Sequence, residues 1–273
     1  MRQNFHIPML LITGMLFLIS GCSVNKAKVD DSLKQHFDNA QVDGCFTMID
    51  NASGEITVYN MKLDTARKLP GSTFHILGSL MALETGVLPD EKTEISIDSL
   101  KYSGWKGKNP ISLTDAFQQD ADPFFATVME KMGSDTIKGW IDSIGYGNKN
   151  FGVKGELFWM NNQLKISPDE QLGFMKKLYF DQLPFRKSVM ESLRGMMMRE
   201  DNSAYRLSYQ SAEGLDEKKQ KIAWTCGWIE ENRHVYLFVT MIDAGKQEGD
   251  AKKKCSDLTK NILKGYGFFL GKK

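Results

Sequence analysis

Residues 68–86 read "KLPGSTFHILGSLMALETG". A Pro-Gly turn precedes a serine at the point where a helix begins, and an almost wholly apolar run follows, closed by glycine. At about 100° per residue, Ser72, His75, Gly78, Ser79 and Ala82 share an arc of about 120°. Phe74, Leu77, Leu80 and Met81 lie opposite. The predicted helix is held by apolar contacts and shows a narrow stripe of small and polar residues, as a cleft floor requires. Its start offers unpaired N–H groups and positive dipole potential, which favour an oxyanion and ease ionisation of a serine. His75, three residues on, neighbours Ser72 on the helix surface. Read alone, the same residues also suit an N-capping serine and a satisfied core histidine.

Outward from this helix the pattern changes period. Upstream, "DDSLKQHFDN" (30–39) reads as a short helix. "GCFTMIDNASGEITVYN" (44–60) reads as a β-hairpin turning at Asn51 to Gly54. From Ser72 to about Glu200 helical spacing dominates, with a strong helix start at Ser167-Pro168-Asp169-Glu170. The last third returns to strands: "AYRLSYQSA", then "KIAWTCGWIEENRHVYLFVTMID" with a polar turn at Glu230 to Arg233. An amphipathic helix from Asp250 closes the chain. This order predicts an α+β fold. Its central antiparallel sheet is shared by the first and last strands, with a mostly helical lobe inserted between them and the C-terminal helix packed on the sheet.

The 273 residues, 41% hydrophobic, are enough for a substantial core. The formal net charge of +1 offers no basic surplus for a nucleic-acid partner. Arg2 precedes the apolar run "IPMLLITGMLFLIS", which ends at Gly21-Cys22. That run fits a secretory signal, and "LISGC" resembles a bacterial lipobox. The expected organisation is a lipoprotein signal peptide at 1–21, a tether at 22–36 with lipid on Cys22, and one domain at 37–273. Loss of Arg2 with the signal brings the mature charge to +1 − 1 = 0. The expected location is the cell envelope, lipid-anchored to a membrane and facing the periplasm or the cell surface. Export permits disulfides, but Cys45, Cys226 and Cys255 form an odd set without C-x-x-C spacing. Buried apolar cysteines are the expectation for Cys45 and Cys226. No metal or cofactor motif is present.

From about Gly44 to the C-terminus the chain resembles the class D (oxacillin-hydrolysing) serine β-lactamases and the related penicillin-sensor domains. "GSTFHILGSLMALETGVLPDE" resembles that family's nucleophile helix, and "KYSGWKGKNPISLTDAF" the segment after it. "DADPFFATVMEKMG" stands where the family has Ser-x-Val-Pro. "GYGN" (145–148) carries its Tyr-Gly-Asn, and "LFWMNNQLKISPDEQLGF" its tryptophan segment. "AYRLSYQSAEG" stands where a strand ends in Lys-Thr/Ser-Gly. The resemblance implies a sheet and a helical lobe with the site between them. Ser72, Tyr146, Gly147, Asn148 and Trp159 match it.

The departures fall on the chemistry. His75 replaces a lysine that the family carbamylates as its base. Asp120 and Asp122 replace the serine and valine of Ser-x-Val, and Gln210-Ser211-Ala212 replace Lys-Thr-Gly. One hypothesis is a rebuilt serine hydrolase site, with Ser72, His75 and Asp120 as the triad residue types and Tyr146 assisting a leaving group. Asp122, Asn148, Trp159, Gln210, Ser211 and Ala212 would then line the substrate site. The backbone N–H groups of Ser72 and Ala212 would form the oxyanion hole, and a β-lactam or peptide would be the ligand. Neutral Gln210 would lose the attraction that the family's lysine offers an anionic ligand, and one or two carboxylates would repel it, weakening binding by several kcal/mol, with about 4 for each unit charge at 4 Å and an effective dielectric of 20. Lys252, Lys253 or Lys254 could substitute as cation. The other hypothesis is a non-catalytic binding or scaffold protein of the envelope.

Overall fold

The computed structural model describes residues 27–152, 157–246 and 249–273. The first elements are β1 (Ala27–Val29), α1 (Lys34–Ala40), β2 (Asp43–Asp50), β3 (Ile56–Tyr59) and α2 (Met61–Asp64). A 3-10 turn, Gly71–Thr73, leads into α3 (Phe74–Glu84). The inserted lobe continues with β4 (Glu94–Ile95), β5 (Ile111–Ser112), α4 (Leu113–Gln118), α5 (Asp122–Met132), α6 (Ser134–Ile144), α7 (Pro168–Tyr179) and α8 (Lys187–Met197). The chain closes with β6 (Met198–Asp201), β7 (Tyr205–Leu215), β8 (Lys221–Glu231), β9 (His234–Gly245) and α9 (Ala251–Gly265).

The main sheet has seven strands in the order β1-β3-β2-β9-β8-β7-β6. The N-terminal hairpin thus joins the C-terminal meander through β2 and β9, with Thr47 opposite Val239. All pairings are antiparallel except β1 with β3. Alternation along β2, β8 and β9 sends side chains to two apolar layers. Leu237, Val239 and Trp224 face the helical lobe, where they pack with Phe74, Leu77 and Met175. Phe238, Ile242 and Ala223 face α1 and α9, packing with Phe37, Leu258 and Ile262. The β8–β9 turn uses Asn232 and Arg233 at φ 46° and 67°, the left-handed pair that a two-residue hairpin requires. Ser167 and Glu170 form the expected capping box on α7.

Three expectations change. The stretch read as tether joins the fold at its C-terminal part: β1 pairs with β3, and Leu33 is buried against Phe37's cluster. Cys22 and the signal lie outside the described residues. The helical reading to Glu200 ends early, because α8 stops at Met197 and β6 then pairs with β7. The stripe expected to floor a cleft is covered: α3 is buried from Phe74 through Leu83, and Gly78 faces Phe125 and Met129 of α5. Small residues on α3 permit close helix packing here; only the turn at Ser72 to His75 reaches the site. Cys45, Cys226 and Cys255 are free and buried.

Asp64 is an anomaly of this core. It is 2% exposed, and its Oδ1 has no hydrogen-bond partner. Burial, with Asp169 nearby, pushes its carboxyl up to about 7. The folded state therefore holds a proton that the unfolded state releases near pH 4. Its contribution to stability is full below that pH and is lost as pH rises through 7. Asp64→Asn is expected to unfold at higher urea than the wild type at pH 8, by on the order of 2 kcal/mol, with the two curves converging near pH 4. Urea titrations across that range check this.

Candidate active site

The turn at Gly71–Thr73 is pinned from three sides. Gly71 has φ +55°, and a Cβ there would meet the Glu213 carbonyl oxygen of β7 at 2.8 Å. Only glycine lets the turn lie this close to the strand. Trp224 donates its indole N–H to the Leu69 carbonyl at 2.9 Å. Lys68 and Ile166 exchange two backbone hydrogen bonds, at 2.9 and 2.8 Å. Ser72 is thereby held next to β7 with 4% of its surface exposed.

Asp122 is the centre of the site. Its Oδ1 receives the Nε2–H of His75 at 2.9 Å, the indole N–H of Trp159 at 2.9 Å and the Ser72 hydroxyl at 3.3 Å. Burial raises this carboxyl, but the bonds from His75, Trp159 and Ser72 outweigh it and hold the group below the ordinary carboxylate range. Its position in the first turn of α5 adds a favourable dipole. The Asp122 side chain keeps 23% exposure, whereas His75 has none.

His75 lies flat on Phe125, ring centroids 3.7 Å apart, with Trp159 edge-on at 5.7 Å. Its Nδ1 is buried without a partner. A doubly protonated ring would bury an unpaired N–H, at a cost of roughly 1–3 kcal/mol or more for a charged group. The arrangement therefore selects the neutral ring with its proton on Nε2, given to Asp122. In that tautomer Nε2 has no lone pair for the Ser72 proton. Among the described residues, the only side-chain acceptor joined to Ser72 is the carboxylate of Asp122.

The triad expected from sequence changes in its third member. Asp120, read as the partner of His75, points elsewhere. Its backbone takes φ +51°, and the Asp122 N–H closes onto its carbonyl at 2.8 Å. This tight turn sends residues 120 and 122 to different neighbours. Asp120 Oδ2 pairs with Lys252 Nζ at 2.5 Å, and Oδ1 accepts from the Gln210 amide. Burial raises the Asp120 carboxyl, with Lys252 opposing. Asp122, read as a substrate contact, holds the position expected for Asp120.

Tyr146 is also displaced from its expected role. It is 2% exposed, its hydroxyl donates to Gln171 at 3.3 Å, and burial raises it. It packs edge-on against Phe74 and Phe174. Asn148 does not line the site: its amide donates to the Gln163 carbonyl at 2.7 Å, and its Oδ1 accepts the Lys165 N–H at 3.0 Å. Gly147, at φ +54°, lets the loop press on the Lys165 carbonyl. The Tyr-Gly-Asn segment is thus a brace for the strand-like stretch that bonds Lys68. Trp159 is 0% exposed, stacks on Phe74 and meets Asp122 directly.

On β7, Gln210 is 1% exposed and joins Asp120 to Arg199, whose guanidinium donates to the Gln210 side-chain Oε1 at 2.7 Å. Ser211 shares a hydrogen bond with Thr225 at 2.9 Å, and Ala212 is buried opposite Trp224. The expected repulsion by two uncompensated carboxylates is corrected: Lys252 pairs with Asp120, while His75, Trp159 and Ser72 donate to Asp122. Arg199 carried no signal in the sequence, because its relevance arises only when β6 pairs with β7. Lys252 was one of three adjacent candidates, and α9 brings its Nζ to 2.5 Å from Asp120. Among the described residues no three side chains cluster as metal ligands.

The penicillin-binding protein transpeptidase domain description matches residues 44–264. A probable β-lactamase of Bacillus subtilis, YbxI, is 30% identical over 245 residues, covering 90% of this chain and 86% of that protein. The C-terminal domain of the Bacillus licheniformis BlaR penicillin-receptor superposes with a TM-score of 0.83 at 25% identity, covering 90% of this chain and 98% of that one. A class D β-lactamase from Sebaldella termitidis gives 0.82 at 27%, covering 90% and 100%.

Replacing Trp159 with phenylalanine keeps the stack on Phe74 and removes one donor from Asp122. The Asp122 carboxyl is expected to titrate at higher pH in Trp159→Phe than in the wild type. Carboxyl-carbon NMR, assigned by comparison with Asp122→Asn, reads the change.

Proposed function

Since the chain belongs to the penicillin-binding protein transpeptidase domain family, we propose that it is a serine acyl-transfer domain in which Ser72 is the nucleophile and Asp122 the proton acceptor. The observation that carries this reading is the 3.3 Å bond from the Ser72 hydroxyl to an Asp122 oxygen that His75 and Trp159 also hold. In the family to which the sequence is similar, a lysine carbamate is the base, and a carbamate presents a carboxylate. Here the carboxylate comes from position 122, across from the altered position 75.

In the step proposed, Ser72 Oγ bonds to the acyl carbon of a strained amide such as a β-lactam. Its proton passes to Asp122 Oδ1, and the oxyanion is received by the backbone N–H groups of Ser72 and Ala212, by family analogy. The C–N bond then breaks, and the proton on Asp122 goes to the leaving nitrogen. His75 stays neutral throughout and acts as a positioning residue. Because Asp122 is held as a weak base, acylation is slow relative to a site with a strong base. A long-lived acyl-enzyme on a penicillin or a peptide fits this better than rapid turnover.

We further propose that the domain is a lipoprotein of the cell envelope, tethered by lipid on Cys22. Only residues 23–26 then separate the anchor from β1. A second reading, binding without acylation, is favoured by the 4% exposure of Ser72.

Intact-mass analysis after incubation with benzylpenicillin separates the two. One penicilloyl group is expected on the wild type and none on Ser72→Ala; an unmodified wild type from pH 5 to 9 leaves the binding reading. Asp122→Asn is expected to slow acylation at least about 100-fold. The rate should also report the base through pH. Asp122 is depressed, so its basic form is present above the ordinary carboxylate pKa and is lost only as pH falls below it. The acylation rate is expected to stay flat from pH 8 to about 5, where an imidazole base would lose roughly tenfold per unit below about 6.5.

A further inference from the structure

The carboxylate that the catalytic reading leaves unused is Asp120. It lies two residues from Asp122, with its side chain 13% exposed. Lys252 of α9 grips Oδ2 at 2.5 Å, and Gln210 of β7 grips Oδ1. Arg199 backs Gln210 from β6. A cavity of about 260 Å³ opens over this group, lined by Asp120, Arg199, Gln210, Ser211 and Lys252 among others. Gln210 lies about 7 Å from Ala212 along β7, the strand against which the Gly71–Thr73 turn packs. Three cations line the cavity, Arg199, Lys252 and Lys253; Lys253 turns outward to pair with Asp257, and the one carboxylate in the lining, Asp120, belongs to the protein.

We propose that Asp120 is an internal competitor for anionic ligands: it occupies Lys252, the cation that a ligand's own carboxylate would otherwise bind, and so sets the selectivity of the site between anionic and neutral acyl donors. The inference rests on the reading that such donors bind beside Ser72. An entering carboxylate must either displace Asp120 from Lys252 or sit unpaired next to it. A neutral donor of the same shape meets neither cost. The pair Asp120 and Lys252 thus acts on ligand charge alone, apart from the proton transfer carried by Asp122. Asn at position 120 keeps the left-handed backbone accessible and a polar group for Gln210 while removing the charge.

Equilibrium binding in the full mature chain tests this in a Ser72→Ala background, where no acylation intervenes. The probes are benzylpenicillin and its neutral methyl ester, measured by calorimetry. Asp120→Asn is expected to tighten benzylpenicillin at least tenfold and to change the ester less than twofold. Adding Lys252→Met is expected to reverse the gain. Near-UV circular dichroism checks the fold, and Asp120→Ser serves the same comparison if Asp120→Asn does not fold. Equal changes for both probes, no gain for the anion, or no binding by any variant would overturn the proposal. A binding gain without any acylation of the serine-bearing chain would uphold Asp120's role while removing the acyl-transfer reading.

Discussion

One oxygen atom organises this site. Asp122 Oδ1 takes hydrogen bonds from a hydroxyl, an imidazole and an indole. A carboxylate with most of its surface withdrawn from water stays ionised where donors replace its hydration. The three donors do so, and each is fixed in turn by packing: His75 by Phe125, Trp159 by Phe74, Ser72 by the turn against β7. Removal of the carboxylate would leave three buried polar groups facing one another. The substitutions at 75 and 122 are therefore one physical change. An imidazole cannot carry a carbamate, but it can donate to a carboxylate supplied by the facing helix.

The same constraint explains why the helical lobe is aromatic around α3. Phe74, Phe158 and Trp159 form one set of stacked and edge-on rings, and His75 lies between that set and Phe125, edge-on to Trp159 and flat on Phe125. This excludes water from His75 and keeps its unpartnered Nδ1 dry. Low polarity there strengthens the bonds to Asp122 and makes a charged ring costly. Tyr146 and Asn148 serve this scaffold at one remove, by bracing the segment that bonds the turn carrying Ser72.

Charge is balanced on the opposite wall by different means. Asp120, Lys252, Gln210 and Arg199 form a chain of contacts from the lobe through β7 to β6 and α9. Asp120 and Asp122 are near enough to repel, and Lys252 offsets one while His75, Trp159 and Ser72 stabilise the other. The two carboxylates coexist because each faces its own donors.

The order of elements, the sheet shared by the first and last strands, the turn that carries Ser72 and the family were legible in the residues. Periodicity, turn chemistry and motif order are local properties, and they act before the chain folds back on itself. The partner of His75 was not legible. Asp120 and Asp122 are equally acidic and two residues apart, so composition and spacing offer both. The left-handed backbone at Asp120, the indole of Trp159 and the arrival of Lys252 choose between them. Those contacts span 37 to 132 residues of sequence, and no local pattern encodes the direction of a side chain at the junction of four elements.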